Sequence, residues 1–372
     1  MSAARPRRRV IIAALAGILV LGLGAALAPR PPQLGSATGD PELGARAETL
    51  LAEEPGARNR ISIALIEGVT PGEPASGTVR VADFGAAPDT EYEIGSITKT
   101  MTSALLADAV ERGELTLDTR LGTLLDLGES PAASVTLESL ATHTSGLPRL
   151  AVNTGVLLRS ILATYRASNP YTEDLPTLLE YARVQNLSDP GTVAYSNLGV
   201  ALLGQALAAA ASTDYDALIR DRVFAPLGLD ASRLPVTAEE LGSGAPTGFT
   251  QGGRAAAAWT LHAYSPAGGV RSTSEDLIRY AAALLAETAP GSRALEPITA
   301  DPNGGQVGLA WFVTEDGVTW HNGGTGGFSS FIGLDRERGN AIVVLSNTAT
   351  SVDDLGMGLL LDARTPGTEG SS

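Results

Sequence analysis

Strand-like apolar runs stand at both ends of this chain, and a long, mostly helical stretch separates them. Near the start, Arg60 to Ile66 alternates apolar and polar residues, and Gly77 to Phe84 follows after a Gly/Pro-rich turn. Near the end, Val318–Trp320, Gly326–Leu334 and Asn340–Asn347 read as three more strands. Arg336-Glu337-Arg338-Gly339 forms a tight turn between the last two. Between the two sets lie helical patches, among them Leu198–Ala210 and Ser274–Ala286. Glu42–Leu51 adds a short amphipathic helix near the start, and Asp354–Asp362 fits a closing helix. Strands this far apart in sequence need one another to bury their apolar faces. The economical solution is a fold of the α/β (α+β) type: one antiparallel sheet built from both ends, flanked by helices, with an inserted helical subdomain. A cleft fed by both parts is then the natural place for a site.

The chemistry starts from a single lysine. Of 26 basic side chains, only Lys99 is a lysine; all others are arginine. A lysine can shed its proton when desolvated, which a guanidinium does not do. Lys99 follows Ser96 by three residues, ahead of the apolar-periodic run Met101–Val110 that closes at Gly113. Ser96 is therefore expected in the first helical turn, with the Lys99 amine on the same face. The positive end of the helix and burial both favour a neutral, proton-accepting amine. The Ser96 N–H is free at that end to meet an oxyanion. Alone, Ser-x-x-Lys is commonly an N-cap with a solvated lysine, so its weight depends on partners elsewhere.

Two further segments supply them. Tyr195-Ser196-Asn197 precedes a helical run, so both outer side chains are expected to project from a loop. A tyrosine beside a lysinium loses its proton more easily and can relay the serine proton to a leaving group. Asn197 offers a donor and an acceptor to a substrate amide. His321-Asn322-Gly323-Gly324 is expected on a strand, with His321 as a donor and the glycines admitting a substrate backbone closely. The Gly324 N–H is a candidate second oxyanion donor. His143, in Thr142-His143-Thr144-Ser145-Gly146, reads as a residue that orders a loop at a helix end, and His262 has no partner nearby. No His/Asp/Glu spacing suggests a metal, and no cofactor motif is present. A Gly-x-Ser-x-Gly nucleophile elbow is absent.

The order Ser96-x-x-Lys99, Tyr195-x-Asn197, His321-x-Gly323 resembles the serine β-lactamase-related family. That family includes class C β-lactamases, D-alanyl-D-alanine carboxypeptidases, D-aminopeptidases and β-lactamase-like esterases. The segments Val135–Leu147, Phe224–Leu229 and Ser265–Asp276 resemble it as well, so the likeness runs from about Arg46 to Leu361. The resemblance implies a transpeptidase-like fold and a serine acyl-enzyme. It implies that Ser96 attacks an ester or amide carbonyl while Tyr195 and Lys99 relay the proton. Ser96 and Gly324 N–H groups would hold the oxyanion, and Asn197, His321 and Gly323 would bind the substrate. One departure matters: β-lactamases and carboxypeptidases of the family usually carry lysine at the His321 position. A histidine near its ordinary pKa of about 6.5 is mostly neutral at pH 7, so carboxylate recognition is expected to be weaker or pH-dependent. That favours the esterase- or peptidase-like members. A protein acylated by a penicillin without turnover is the alternative reading.

The first residues carry a different signal. Arg5, Arg7, Arg8 and Arg9 precede an uncharged run of 19 residues, Val10 to Ala28. Residues 1–28 therefore read as a signal peptide or an N-terminal membrane anchor, with Ala26-Leu27-Ala28 resembling a cleavage site and Pro29 opposing cleavage. Either way the body is expected to be exported. Residues 29–45 read as a Pro/Gly-rich linker, 46–363 as the hydrolase domain and 364–372 as a polar tail. Net charge is −15, although residues 1–30 hold five arginines and no acid. Such an acidic body argues against nucleic acid as a partner. The expected partner is a small ester, an amide or a cell-wall-derived molecule. Oligomeric state leaves no trace in the sequence. With no cysteine, disulfides, thiolate nucleophiles and Cys-metal sites are excluded.

Overall fold

Strands from the two ends of the chain do pair with each other. The computed structural model describes residues 32–241 and 245–364. The signal or anchor segment, the first linker residues and the polar tail from 365 lie outside them. The strands that frame the sheet are β1 (Ala37–Gly39), β2 (Ile61–Glu67) and β3 (Thr78–Phe84) from the start of the chain. Short strands β4 (Tyr92–Glu93), β5 (Gly248–Phe249), β6 (Ala255–Ala256) and β7 (Arg271–Ser272) follow. From the end come β8 (Thr299–Ala300), β9 (Gln306–Val307), β10 (Phe312–Val313), β11 (Thr319–Gly324), β12 (Ser329–Asp335) and β13 (Asn340–Ser346). The main sheet has the order β1-β3-β2-β13-β12-β11-β10-β9-β8. Every ladder in it is antiparallel, and the seam between the two ends pairs Ile61 with Ser346 and Ile66 with Ala341.

Eight helices bear on the argument: α1 (Pro41–Glu53), α2 (Thr98–Glu111), α3 (Leu137–Ala141), α4 (Thr154–Arg166), α5 (Leu175–Arg183), α6 (Asn197–Ala210), α7 (Ser274–Leu285) and α8 (Asp353–Asp362). One sheet face packs Ile61, Ile63, Ile342 and Val344 against Leu43 of α1 and Leu355 and Leu359 of α8. The other face, with Ala64, Ile66, Val343 and Leu345, joins α2, α6 and α7 in a larger core. Covering on both faces explains why β13 is buried at every position. It also explains Ser62, a polar step in an alternating strand that faces no solvent: its hydroxyl bonds the Tyr92 hydroxyl at 3.0 Å instead.

The chain joins the sheet earlier than a linker ending at 45 would have it. Gly35 N–H bonds the Asn59 carbonyl, β1 pairs with β3, and Asp40 caps α1 by accepting from Glu42 and Leu43 N–H. The helix starts there because Asp40 is followed by proline at the first helical position. The three small strands β8–β10 carry no periodic signal long enough to be read from sequence, and they extend the sheet beside β11.

Candidate active site

Ser96 lies on a 3-10 turn, Gly95–Ile97, that leads into α2, one turn ahead of the α-helix proper. Gly95 has φ +50°, and a Cβ there would stand 2.6 Å from the Gly324 nitrogen. The strand β11 and the nucleophile turn therefore touch backbone to backbone. Gly323 makes the same approach from the other side: a Cβ on it would fall 2.0 Å from the Ile94 carbonyl oxygen. Glycine at 95 and 323 thus seats Gly324 beside Ser96. At Gly324 itself a Cβ would meet nothing.

Lys99 is fully buried on α2, and its Nζ donates to Ser96 Oγ at 2.9 Å and to the Ala267 carbonyl. Ala267 belongs to the segment Ser265–Asp276, whose Val270 N–H is held by the Thr98 hydroxyl. Its Arg271 is fully buried between Glu91 and Glu93, at 2.6 and 2.8 Å. Burial, and after it the charge of Arg149, hold the Lys99 amine well below the usual lysine range.

Tyr195 packs its ring among cations and histidines. The His143 ring centroid is 4.5 Å away, Lys99 Nζ is 4.9 Å from the ring centroid, and so is the Arg149 guanidinium carbon. Its phenol was expected to lose its proton readily beside a lysinium. The structure reverses this: burial raises the Tyr195 pKa, with the Ser96 hydroxyl and Arg149 pulling less strongly the other way. Burial thus shifts the two groups in opposite directions: it favours the protonated phenol of Tyr195 and the neutral amine of Lys99.

The loop carrying Tyr195 is clamped by residues 143–149. Ala194 N–H bonds the His143 carbonyl, Ser196 N–H bonds His143 Nδ1 at 3.2 Å, and Asn197 and Leu198 N–H bond the Arg149 carbonyl. Ser196 caps α6 by accepting from Gly199 N–H while donating to the Pro148 carbonyl. Asn197 is thus the first residue of α6, where a loop position was expected. Its Nδ2 donates to the Tyr171 hydroxyl at 3.3 Å, and its Oδ1 has no partner among the described residues. His143 has a left-handed backbone (φ +60°) and is fully buried, and it orders the loop as its sequence context indicated.

His321 departs most from expectation. It was expected to face substrate as a near-neutral donor. It is fully buried, with Nδ1 against the Asn322 carbonyl at 2.6 Å. Burial, then the charge of Lys99, depress its pKa to about 3. Strand alternation turns 319, 321 and 323 inward and leaves Trp320 and Asn322 half-exposed. His321 is therefore a neutral wall of the Lys99 compartment and does not line the cleft. The cleft, about 440 Å³, is lined by Ser96, Arg149, Tyr195, Phe312, Trp320 and Asn322, together with Gly323, Gly324 and Asp353. Asn322 Nδ2 donates to Asp353 there at 2.6 Å. A larger hollow of about 870 Å³ beside α2 holds none of these residues.

Sequence reasoning missed Arg149. It is exposed, lines the cleft and joins no ion pair among the described residues. A lone arginine after Leu147-Pro148 gives no local signal; only folding places it over Tyr195. No cluster of His, Asp or Glu among the described residues could hold a metal.

The chain and its fold have counterparts in known proteins. The sequence profile of the family described as Beta-lactamase matches residues 57–364, most of the chain. Penicillin-binding protein 4 of Amycolatopsis lactamdurans is 28% identical over 311 residues, covering 74% of this chain and 77% of that protein. The D-alanyl-D-alanine-carboxypeptidase/endopeptidase AmpH of Escherichia coli strain K12 is 33% identical over 146 residues, which is 38% of this chain and 36% of the relative. Among solved structures, a class C beta lactamase from Rhodobacter sphaeroides superposes with TM-score 0.72 at 21% identity, covering 87% of this chain and 99% of that one. A beta-lactamase/D-alanine carboxypeptidase from Pseudomonas syringae gives the same TM-score at 20% identity, covering 87% and 98%. These structures share the α+β fold with its antiparallel sheet.

Proposed function

We propose that this chain, which belongs to the Beta-lactamase family, is an exported serine hydrolase that cleaves an ester or amide through a Ser96 acyl-enzyme. One observation carries the reading: a fully buried lysine amine, pushed toward its neutral form, 2.9 Å from the hydroxyl of a half-exposed serine at a cleft floor. Ser96 Oγ forms a bond to the substrate carbonyl carbon as its proton passes to Lys99. The carbonyl π pair moves onto oxygen, where the N–H groups of Ser96 and Gly324 meet it. As the oxyanion collapses, the bond to the leaving group breaks and the leaving atom takes the Tyr195 proton. Lys99 then returns a proton to Tyr195. Water repeats the sequence on the acyl-enzyme and frees Ser96. Asn197 Oδ1, buried and unpartnered among the described residues, must open to the cleft before it can accept from a substrate amide. Arg149 is the cation placed to receive a substrate carboxylate, a role that His321 cannot take from inside the wall.

Likeness to a penicillin-binding protein favours a second reading, acylation without turnover. Hydrolysis of a short-chain nitrophenyl ester by the protein and by Ser96→Ala, run beside labelling with a fluorescent penicillin, separates the two. Turnover lost in the variant supports the hydrolase. A stable penicillin adduct on Ser96 without ester turnover selects the second reading. Turnover that survives Ser96→Ala overturns both.

A further inference from the structure

Helix α4 leaves its apolar face outside the fold. Its buried residues are Val156 and Ala163, while Leu157, Leu158, Ile161, Leu162 and Tyr165 are 62%, 57%, 57%, 41% and 79% exposed. Val152, just before the helix, is 74% exposed. Five large apolar side chains on one 13-residue helix form a contiguous patch of a kind that soluble surfaces rarely leave bare. The charge around it is opposite to that of the chain. No acidic residue lies between Glu138 and Glu173, in a protein of net charge −15. Arg166 and Arg254 are exposed beside the patch and join no ion pair among the described residues; Arg254 Nη1 donates to the Tyr165 carbonyl.

The patch also lies at the end of the molecule where the chain enters. The sheet register aligns Ala37 with Phe84, Ile61, Ser346, Ser329 and Gly324 in one row. From the entry, a run of hydrogen bonds crosses to α4: Asn59 Nδ2 to the Gln33 carbonyl, Asn347 Nδ2 to Asn59 Oδ1, and Phe249 N–H to the Asn347 carbonyl. The β5–β6 turn that follows ends at Arg254, which holds Tyr165. Upstream of Gln33 the sequence runs into the uncharged stretch Val10–Ala28.

We propose that α4 is a lipid-docking surface: its apolar face inserts into the interfacial region of an anionic phospholipid bilayer, on the side of the domain where Gln33 enters the fold. An interfacial helix of this type pairs bulky apolar residues with arginines at the headgroup level and sinks by about 5–10 Å. The acidic remainder of the domain is then turned away from the anionic surface. This assignment is independent of what the Ser96 site hydrolyses.

The chain has no cysteine, so single labels are unambiguous. The full chain carrying Leu158→Cys or Glu337→Cys is labelled with an environment-sensitive nitrobenzoxadiazole dye and reconstituted into phosphatidylcholine/phosphatidylglycerol vesicles containing lipid spin-labelled near the headgroup. Glu337 sits on the β12–β13 turn at the opposite end of the sheet. The dye at 158 is expected to shift blue and to be quenched by the spin-labelled lipid, and the dye at 337 to do neither. Adding Ile161→Glu and Leu162→Glu is expected to abolish the quenching at 158 while leaving nitrophenyl ester turnover unchanged. Quenching at 158 no greater than at 337 overturns the proposal. Equal quenching in vesicles of phosphatidylcholine alone overturns the assignment of an anionic surface. A blue shift that ignores the spin label and grows with protein density assigns the face to a second copy of the chain and overturns it as well.

Discussion

Gly95→Ala is the perturbation that tests the oxyanion geometry most directly. Two costs follow from the structure. The backbone at 95 has φ +50°, so an L side chain there is strained by about 1–2 kcal/mol. The new methyl would start 2.6 Å from the Gly324 nitrogen, and ordinary contact begins at 3.4 Å. The nucleophile turn and β11 must therefore part by several tenths of an ångström along the line joining the two assigned oxyanion donors. Misplacement on the order of 1 Å at a reacting centre costs about 10²-fold. Losing one oxyanion donor costs about 10²–10³-fold in kcat. The expected result is a fall of about 10²-fold in kcat for a nitrophenyl ester, with KM changed little and the melting temperature lowered by a few degrees. Gly324→Ala is the paired control, because a Cβ there meets nothing and leaves the N–H in place. It should keep both stability and most of kcat. A Gly95→Ala enzyme within twofold of wild type in kcat refutes the placement of the Gly324 N–H at the oxyanion.

Lys99→Arg should lose turnover almost as fully as Ser96→Ala, since a guanidinium accepts no proton; burst kinetics on a nitrophenyl ester would reveal any residual acylation. Lys99 works as a base only when neutral, so activity falls as pH drops through its depressed pKa. Arg149 contributes to that depression, so Arg149→Gln should raise the Lys99 pKa and move the acidic limb of kcat/KM to higher pH. The same variant should raise KM for an acyl substrate bearing a carboxylate and spare its methyl ester. His321 titrates at about 3 when folded against 6.5 as its ordinary value, so the unfolded chain binds more protons between those pH values. Stability from this residue is complete above 6.5 and is lost as pH falls toward 3; the acid-side drop in melting temperature should shrink in His321→Gln.

The segments that meet around Ser96 were legible in the sequence, and so were the framing strands. Ser96, Lys99 and Tyr195 stand together in the structure, whereas Asn197 bonds the Tyr171 hydroxyl and is not among the residues that line the cleft. The strand runs at the two ends appear at their expected places, because length and apolar periodicity are local properties. What failed depends on tertiary surroundings. A strand through His321 has two faces, and nothing in Trp320-His321-Asn322 says which one meets the cleft; packing chose Asn322. The Tyr195 proton depends on how much of the protein covers the phenol, which a motif does not encode. Arg149 has no periodic or motif neighbour. Helix α4 carries an apolar stripe like that of a core-facing helix, and only the assembled fold leaves that face outside.

Burial of His321 and exposure of Arg149 are two parts of one electrostatic arrangement. In the proposed mechanism Lys99 is suited to act as a base because its compartment is dry and because Arg149 adds positive potential from the rim. A second ammonium at position 321, turned inward as β11 turns this residue, would stand unpaired in that compartment and compete with Lys99 for the same lack of solvent. A neutral imidazole fills the volume without a second charge: its Nδ1 meets the Asn322 carbonyl, and only Nε2 is left without a partner among the described residues. The cation that meets a carboxylate can then sit where water reaches it. Arg149 occupies that place on the 143–149 segment, which also clamps the Tyr195 loop through His143 and the Arg149 carbonyl. Substrate charge and the proton-donating phenol are thus held by one stretch of backbone. A substrate carboxylate drawn to Arg149 would cancel part of the field that keeps Lys99 neutral, raising the Lys99 pKa in the complex. Carboxylate-bearing substrates should therefore show an acidic limb in kcat at higher pH than neutral esters do. Coincident limbs for the two substrates would separate Arg149 from the base.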